Sequence, residues 1–211
     1  WVLLKIRVLI KRSSKIYIDN LLENNKNWKI LDIGCGFTAH KNASVICDIQ
    51  DLQGFYKDKK FVKLSEKTLP FNNKEFDFVI ASHVLEHVED PAFFIKELER
   101  VSSQGYIELP TILEDNLVFE NKKDHLWHME FDDIKSHLIV SKKIQFLEPV
   151  LTVSSIKKLS EYFRQSLILE LYWKDTIEYK IVDKNILANN KISRLVLLRK
   201  FLSKLLRNLI K

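Results

Sequence analysis

The sequence predicts an α/β fold: one domain built on a mostly parallel central sheet with an antiparallel edge, and helices on both faces. Three observations carry this. Apolar runs of strand length alternate with stretches whose apolar residues recur at helical spacing. The run Phe76–Ser82 is continuously apolar between polar flanks, as in a strand covered on both faces. The first strand-like run ends in Gly34-Cys35-Gly36, a turn of the kind that opens a ligand crevice at the carboxyl edge of such sheets. A hydrophobic content of 46% with 29% charged residues is that of a globular chain with a real core.

Leu3, Ile6, Ile10, Ile18, Leu21 and Leu22, set among lysines and arginines, predict one or two helices over residues 3–24. Residues 1–26 are therefore set apart as an N-terminal helical segment. Trp28–Ile33, Ser44–Ile49 and Phe61–Leu64 read as three successive strands, followed by Phe76–Ser82. Asp90 fits a helix N-cap and Pro91 the first helical position, where a missing N–H costs nothing. Phe94, Ile95, Leu98 and Val101 then share one face. Gly105 opens the strand Tyr106–Leu109, which Pro110 ends. Leu138–Val140 and Ile144–Leu147 read as strands and Ile156–Ser166 as a helix. Leu167–Trp173 and Thr176–Val182 read as a closing strand pair with a turn at Lys174-Asp175. Leucines 195, 198, 202, 205 and 209 repeat at three and four, which predicts an amphipathic helix over Ile192–Ile210. The expected layout is one domain: a core over 27–185 and a basic C-terminal helix within 186–211.

Charge is unevenly spread. Five basic residues and no acid lie in Trp1–Ile18, and eight and no acid in Lys184–Lys211. With +6 overall, the stretch between is left at −7. An acidic middle is a poor footprint for nucleic acid, whose binders put positive charge on the working face. No run of eighteen apolar residues predicts a membrane span, and the apolar first ten residues are interrupted by Lys5 and Arg7. Cys35 and Cys47 lack disulfide or metal spacing and read as buried thiols in a reducing compartment, so the cytoplasm is expected. The C-terminal helix has two readings. It is an interfacial helix that draws the chain to the inner face of a membrane, or a helix packed on the domain.

Two of the four glycines form Gly34-Cys35-Gly36 at the end of the first strand, and Asp48 follows fourteen residues after Gly34 at the end of the next. Glycines there let the backbone turn and approach a ligand, and a carboxylate there can accept both hydroxyls of a ribose. Asp32 is a second acid near the same pocket. The segment Ile30–Gly36 resembles the first motif of the class I S-adenosylmethionine (SAM)-dependent methyltransferases. Leu69-Pro70-Phe71, Phe76-Asp77-Phe78-Val79 and Ser82–Pro91 resemble the "LPF…FDxV…LEHVxDP" block of their small-molecule, type 11 branch. Phe93–Arg100 and Val101–Ile107 resemble the segment and strand that follow it. The resemblance covers about residues 28–110. It implies a Rossmann-like domain, SAM as cofactor, and Asp32, Gly34, Cys35, Gly36, Asp48, Ile49, Ser65, Glu66, Ser82 and His83 as its contacts.

There are departures. Thr38 stands where the family usually has a third glycine, and Ser65 where an Asp often contacts adenine, a task left to Glu66 or a backbone N–H. The short spacing from Gly34 to Asp48 leaves a loop or a single turn over Phe37–Ala43 in place of a helix. The same shortage of helix argues against a nicotinamide site, although Gly34–Ala39 matches G-x-G-x-x-A.

Methyl transfer needs alignment, exclusion of water and often removal of a proton, for which histidine suits neutral pH. His83, Glu86 and His87 follow the fourth strand, and i, i+4 spacing would put both histidines on one helical face. H-x-x-E-H lacks a nameable third ligand, so no metal is expected. Asp124-His125-Leu126-Trp127-His128 lies in a polar segment after the fifth strand, where the mouth of the site forms. It is similar to His-Leu-Trp segments of methyltransferase relatives near bacterial surface-glycan genes. His125 or His87 is the expected base, with Glu86, Trp127 and His128 on the substrate; His40 and His137 are left on the surface. The expected acceptor is an oxygen or nitrogen of a small molecule or glycan, in surface-polysaccharide synthesis. An inactive SAM-fold scaffold is the alternative.

Overall fold

The computed structural model describes residues 10–183 and 191–209. Its central sheet has seven strands. Five are parallel: β2 (Ile30–Ile33), β3 (Val45–Asp48), β4 (Lys60–Lys63), β5 (Phe78–Ser82) and β6 (Gln104–Pro110). Strand β9 (Ile168–Lys174) joins β6 antiparallel, and β1 (Ile10–Arg12) joins β9 antiparallel. The order is β1-β9-β6-β5-β2-β3-β4. Chain direction across the sheet reverses at β2 and β5, so a crevice opens beyond their carboxyl ends.

Side chains alternate across the strands, as period two requires. Leu31 and Ile33 of β2, with Val79 and Ala81 of β5, face helix α2 (Pro91–Val101), which buries Phe94, Ile95, Leu98 and Val101. Ile30, Phe78 and Ile80 face the opposite way, onto Ile18 and Leu22 of helix α1 (Lys15–Asn24). Both helices start at side-chain caps: Ser14 accepts from the Tyr17 N–H, and Asp90 from the Phe93 N–H with Pro91 behind it. The Leu69-Pro70-Phe71 segment docks on α2 through polar groups. Arg100 donates to the Leu69 and Phe71 carbonyls, and Glu97 accepts the Leu69 N–H.

The chain between Gly36 and Ala43 is a loop, as its length demands. Tyr56 Oη does the work of a helix there, accepting the Ala39 N–H at 2.9 Å and donating to the Gly36 carbonyl at 2.8 Å.

Four expectations are corrected. Ile10–Arg12 is an edge strand, because its backbone finds partners in β9; residues 1–9 of the expected helical stretch lie outside the described residues. Trp127 and His128, read within a polar segment, belong to strand β7 (Trp127–Asp132). It pairs antiparallel with β8 (His137–Lys142), and its alternate residues Met129 and Phe131 pack on the main core. Ile144–Leu147 is not a strand and makes one isolated bridge, Leu147 to Ile192. The closing strands do not pair with each other: β9 lies in the main sheet, and β10 (Tyr179–Val182) runs parallel to β8 in a second, three-stranded sheet.

Helix α3 (Ile112–Leu117), the short α4 (Asn121–Asp124) and helix α5 (Val153–Leu167) gather on the carboxyl side of β6. Helix α6 (Arg194–Leu209) keeps its apolar residues in solvent: Leu195 is 77% and Phe201 60% exposed. Its start touches the domain, where Arg194 meets Glu148 and Phe119; residues 186–190 and 210–211 lie outside the described residues.

Gly105 is tightly enclosed within the sheet. A Cβ there would meet the Val79 carbonyl oxygen at 2.5 Å, with Trp173 Nε1 at 2.8 Å on the other side. Gly105→Ala should therefore lower unfolding stability by about 2–3 kcal/mol, measured by equilibrium denaturation against the parent chain.

Candidate active site

A cavity of about 810 Å³ lies at the carboxyl ends of β2, β5 and β6, a size that suits a cofactor with an acceptor. One half is built by the turn after β2. Gly34 (φ +65°) and Gly36 (φ +48°) both take the left-handed conformation that favours glycine. A Cβ on Gly34 would stand 2.4 Å from Val84 Cγ2, whereas one on Gly36 would enter open space. Gly34 is thus required by packing as well as by φ, and Gly36 leaves room for a ligand.

Of the expected cofactor contacts, Asp32, Gly34, Cys35, Gly36, Ser82 and His83 line this cavity. Asp32 is buried, and its Oδ2 accepts the His40 N–H at 2.7 Å. Burial pushes its carboxyl up to about 6. Burial, with Asp32 and Asp48 nearby, raises the Cys35 thiol to about 12, so it stays protonated and unreactive. Asp48 sits behind the turn. Its Oδ2 accepts the Gly36 N–H and its Oδ1 the Gln50 N–H, each at 2.9 Å, so it fixes the shape of the glycine turn. Ile49, Ser65 and Glu66 are exposed and lie outside the cavity wall.

Where the two halves of the cavity meet, His83 takes φ +54°, and the segment His83–His87 is turn, not helix. The expected shared helical face for His83 and His87 is therefore corrected, because β5 ends in a strained residue that re-aims the chain. His83 lies 3.2 Å from Glu86 Oε1 and 3.4 Å from Glu108 Oε1. Burial opposes its charge, but the two carboxylates outweigh it and raise the imidazole to about 10. His83 is therefore a cation near neutral pH and not a base. Glu108 is correspondingly held at about 2: burial disfavours its charge, and His83 and Arg164 more than offset this. Tyr106 Oη lies 2.7 Å from both Glu108 and Glu170, which face each other in register on β6 and β9. With one proton it serves one carboxylate, and Arg164 from α5 pairs with both.

The far half of the cavity is lined by His87, Glu114, Asn121, Asp124, His125 and Lys157, among others. Three hydrogen bonds fasten the turn after β5 to the segment before β7. Leu126 N–H donates to the Glu86 carbonyl at 2.8 Å, His87 Nδ1 to the Asp124 carbonyl at 2.9 Å, and Trp127 Nε1 to the Val88 carbonyl at 2.9 Å. The rings of His87 and His125 meet edge to face, 4.5 Å apart. Behind them lies a buried acid, Asp115, with His125 Nδ1 at 2.7 Å, His128 Nε2 at 2.9 Å and Lys143 Nζ at 2.8 Å. The imidazole approaches are close in distance but lack hydrogen-bond geometry. Burial raises the Asp115 carboxyl, and its contacts with His125, His128 and Lys143 more than reverse this, holding it well below the usual range.

Trp127 and His128 thus support the site from behind: Trp127 packs on the core and His128 faces Asp115. Glu86 is likewise not among the residues that line the cavity. His40, expected on the surface, lines the cavity with Nε2 2.9 Å from Asp19 Oδ1. Tyr56, Glu108, Asp115 and Arg164 went unrecognised in the sequence, because each acts through partners remote along the chain.

Residues 31–107 match the methyltransferase-domain family. An uncharacterised protein of Methanocaldococcus jannaschii is 31% identical over 171 residues, covering 72% of this chain and 71% of that protein. Among solved structures, a SAM-dependent methyltransferase from Mesorhizobium loti aligns with a TM-score of 0.37 at 20% identity, over 42% of this chain and about half (50%) of that one. A Pyrococcus horikoshii protein aligns with a TM-score of 0.42 at 16% identity, over 77% and 92%. The chain belongs to the class I SAM-dependent methyltransferases. It is an enzyme of that class and its cofactor is SAM. The turn fits this group: open space stands over Gly36, and a carboxylate, Asp32, lies in the cavity for an ammonium.

Two outcomes are expected by calorimetry. Asp48→Ala leaves the Gly36 and Gln50 N–H groups without their acceptor and should weaken SAM binding at least about tenfold. SAM affinity of the parent chain should fall as pH drops through about 6, because Asp32 takes up a proton and loses the charge that attracts the ammonium.

Proposed function

We propose that this enzyme methylates an oxygen or nitrogen of a hydroxyl-rich small molecule or glycan, with surface polysaccharide the first acceptor class to test. The observation that carries the proposal is the character of the far half of the cavity. Glu114, Glu120, Asn121, Asp124, Lys157 and Ser160 line it, a set suited to pairing with hydroxyls and ill suited to an apolar acceptor. SAM supplies a methyl already made electrophilic by its sulfonium.

The chain's own groups hold the acceptor and deal with its proton. His87 donates through Nδ1 to the Asp124 carbonyl, which leaves Nε2 with its lone pair. His125 has Asp115 at its Nδ1, so its Nε2 is likewise left for the acceptor. Asp115, itself held by Lys143 and His128, orients His125. Methyl transfer to sugars and nucleotide sugars, followed with labelled SAM, tests this reading. His125→Ala should lower turnover about 10²- to 10⁴-fold while SAM affinity changes less than twofold. Equal turnover in the variant would remove His125 from the mechanism.

We also propose that α6 rests on an anionic membrane surface. Leu195, Leu198, Leu202, Leu205 and Phe201 are exposed, and the helix carries Arg194, Arg199, Lys200, Lys204 and Arg207 with no acid. Among the described residues no helix is long and apolar enough to cross a membrane, which is consistent with surface contact. Flotation with vesicles containing phosphatidylserine should carry the full chain upward, and a chain ending at residue 190 should stay behind. Equal recovery of both in the soluble fraction would end this proposal.

A further inference from the structure

Glu86, His87 and His125 come together at the acceptor end of the cavity. One ligand atom from each lies within 4.8 Å of the other two. His125 supplies the third group that the sequence could not name for His83-x-x-Glu86-His87, and it does so from 38 residues further along the chain.

Each member of the trio has a feature that suits coordination. Glu86 is fully buried; its Oε1 faces His83 at 3.2 Å, while its Oε2 has no hydrogen-bond partner among the described residues. A buried carboxylate oxygen left bare costs free energy unless something charged meets it. His87 gives its Nδ1 proton to a backbone carbonyl, and His125 has a carboxylate at its Nδ1. The first arrangement, imidazole to carbonyl, is one that orients a metal-ligating histidine and leaves Nε2 free to coordinate; at His125 the Asp115 carboxylate lies 2.7 Å from Nδ1 without hydrogen-bond geometry. The Leu126 to Glu86 and Trp127 to Val88 hydrogen bonds hold the two contributing segments side by side.

We propose that Glu86, His87 and His125 bind a divalent first-row transition cation, with an open coordination position facing the cavity. Two imidazoles and a carboxylate are a zinc-type set with room for a fourth ligand, and nitrogen donors disfavour magnesium or calcium. Ligand atoms around a tetrahedral cation at about 2.0–2.1 Å stand roughly 3.4 Å apart. From the present spacing of up to 4.8 Å the three ligand atoms must draw in to reach it. What the cation would do rests on the acceptor reading given above. An acceptor hydroxyl in the open position would lose its O–H proton to solvent more readily, becoming an alkoxide held beside the cavity. The histidines then act on the acceptor through the cation.

The test needs no acceptor. Untagged full-length protein, stripped with a chelator, is titrated with Co²⁺ and followed by visible absorption, and with Zn²⁺ by calorimetry; SAM binding is measured in parallel. The expected result is one equivalent of each cation with ligand-field absorption from Co²⁺. His87→Ala, Glu86→Gln and His125→Ala should each weaken it at least about tenfold, with SAM binding retained. His87→Ala is the decisive variant, because that residue is exposed and its loss leaves the core intact. Asp115→Asn, which acts on His125 without touching the cation, should weaken binding about 10- to 100-fold while preserving the shape of the Co²⁺ spectrum. Absence of saturable binding, or equal binding by His87→Ala, would overturn the site. Metal binding with no methyl transfer to any hydroxylated acceptor would instead sink the acceptor reading and leave the site standing.

Discussion

The carboxyl edge of the sheet buries acids, and the architecture around the cavity answers that constraint. Asp32, Glu86, Glu108, Glu114, Asp115 and Glu170 are all buried. Taking an ionised carboxylate out of water is costly unless it meets a cation, a donor or its own proton. The structure uses each remedy. Arg164 reaches from α5 to Glu108 and Glu170, Tyr106 lends them a hydroxyl, and His83 is kept charged between Glu86 and Glu108. Lys143 and two histidines surround Asp115. Asp32 instead drifts toward protonation. The positions of α3, α5 and the second sheet follow from the need to deliver those partners.

This constraint links the two halves of the cavity. The left-handed backbone at His83 ends β5 abruptly and sends Glu86 and His87 toward the segment before β7. The strand pair β7–β8 brings Lys143 back to Asp115, which steadies His125. His87 and His125, which line the cavity, are therefore placed by a hydrogen bond to a backbone carbonyl and by one buried polar cluster, not by a continuous helix. Such placement is stiff, because each group is held by partners from at least two elements.

At the cofactor end the same economy appears in the loop after β2. A full helix there would have satisfied its own backbone, but fourteen residues separate Gly34 from Asp48 and leave no space for one. Tyr56, Asp32 and Asp48 accept the Ala39, His40 and Gly36 N–H groups in its stead. The open space over Gly36 is the consequence.

The sequence by itself determined the strand and helix pattern from Trp28 to Leu109, the capped start at Asp90-Pro91 and the glycine turn. All of these are local: period, propensity and capping act over a few residues. The absence of a helix after the turn was legible too, from spacing alone. Tertiary structure decided the rest. Ile10–Arg12 became a strand because β9 offered it an edge, although its spacing reads as helical. Trp127 and His128 looked like ligand contacts and turned out to be support, since their burial depends on a sheet whose members lie far apart in the chain. Glu108, Asp115 and Arg164 drew no notice as isolated letters, and their roles depend on partners from other elements, such as Lys143, 28 residues from Asp115, and Arg164, 56 from Glu108. A buried charge is defined by what stands opposite it, and only the folded chain brings that into place.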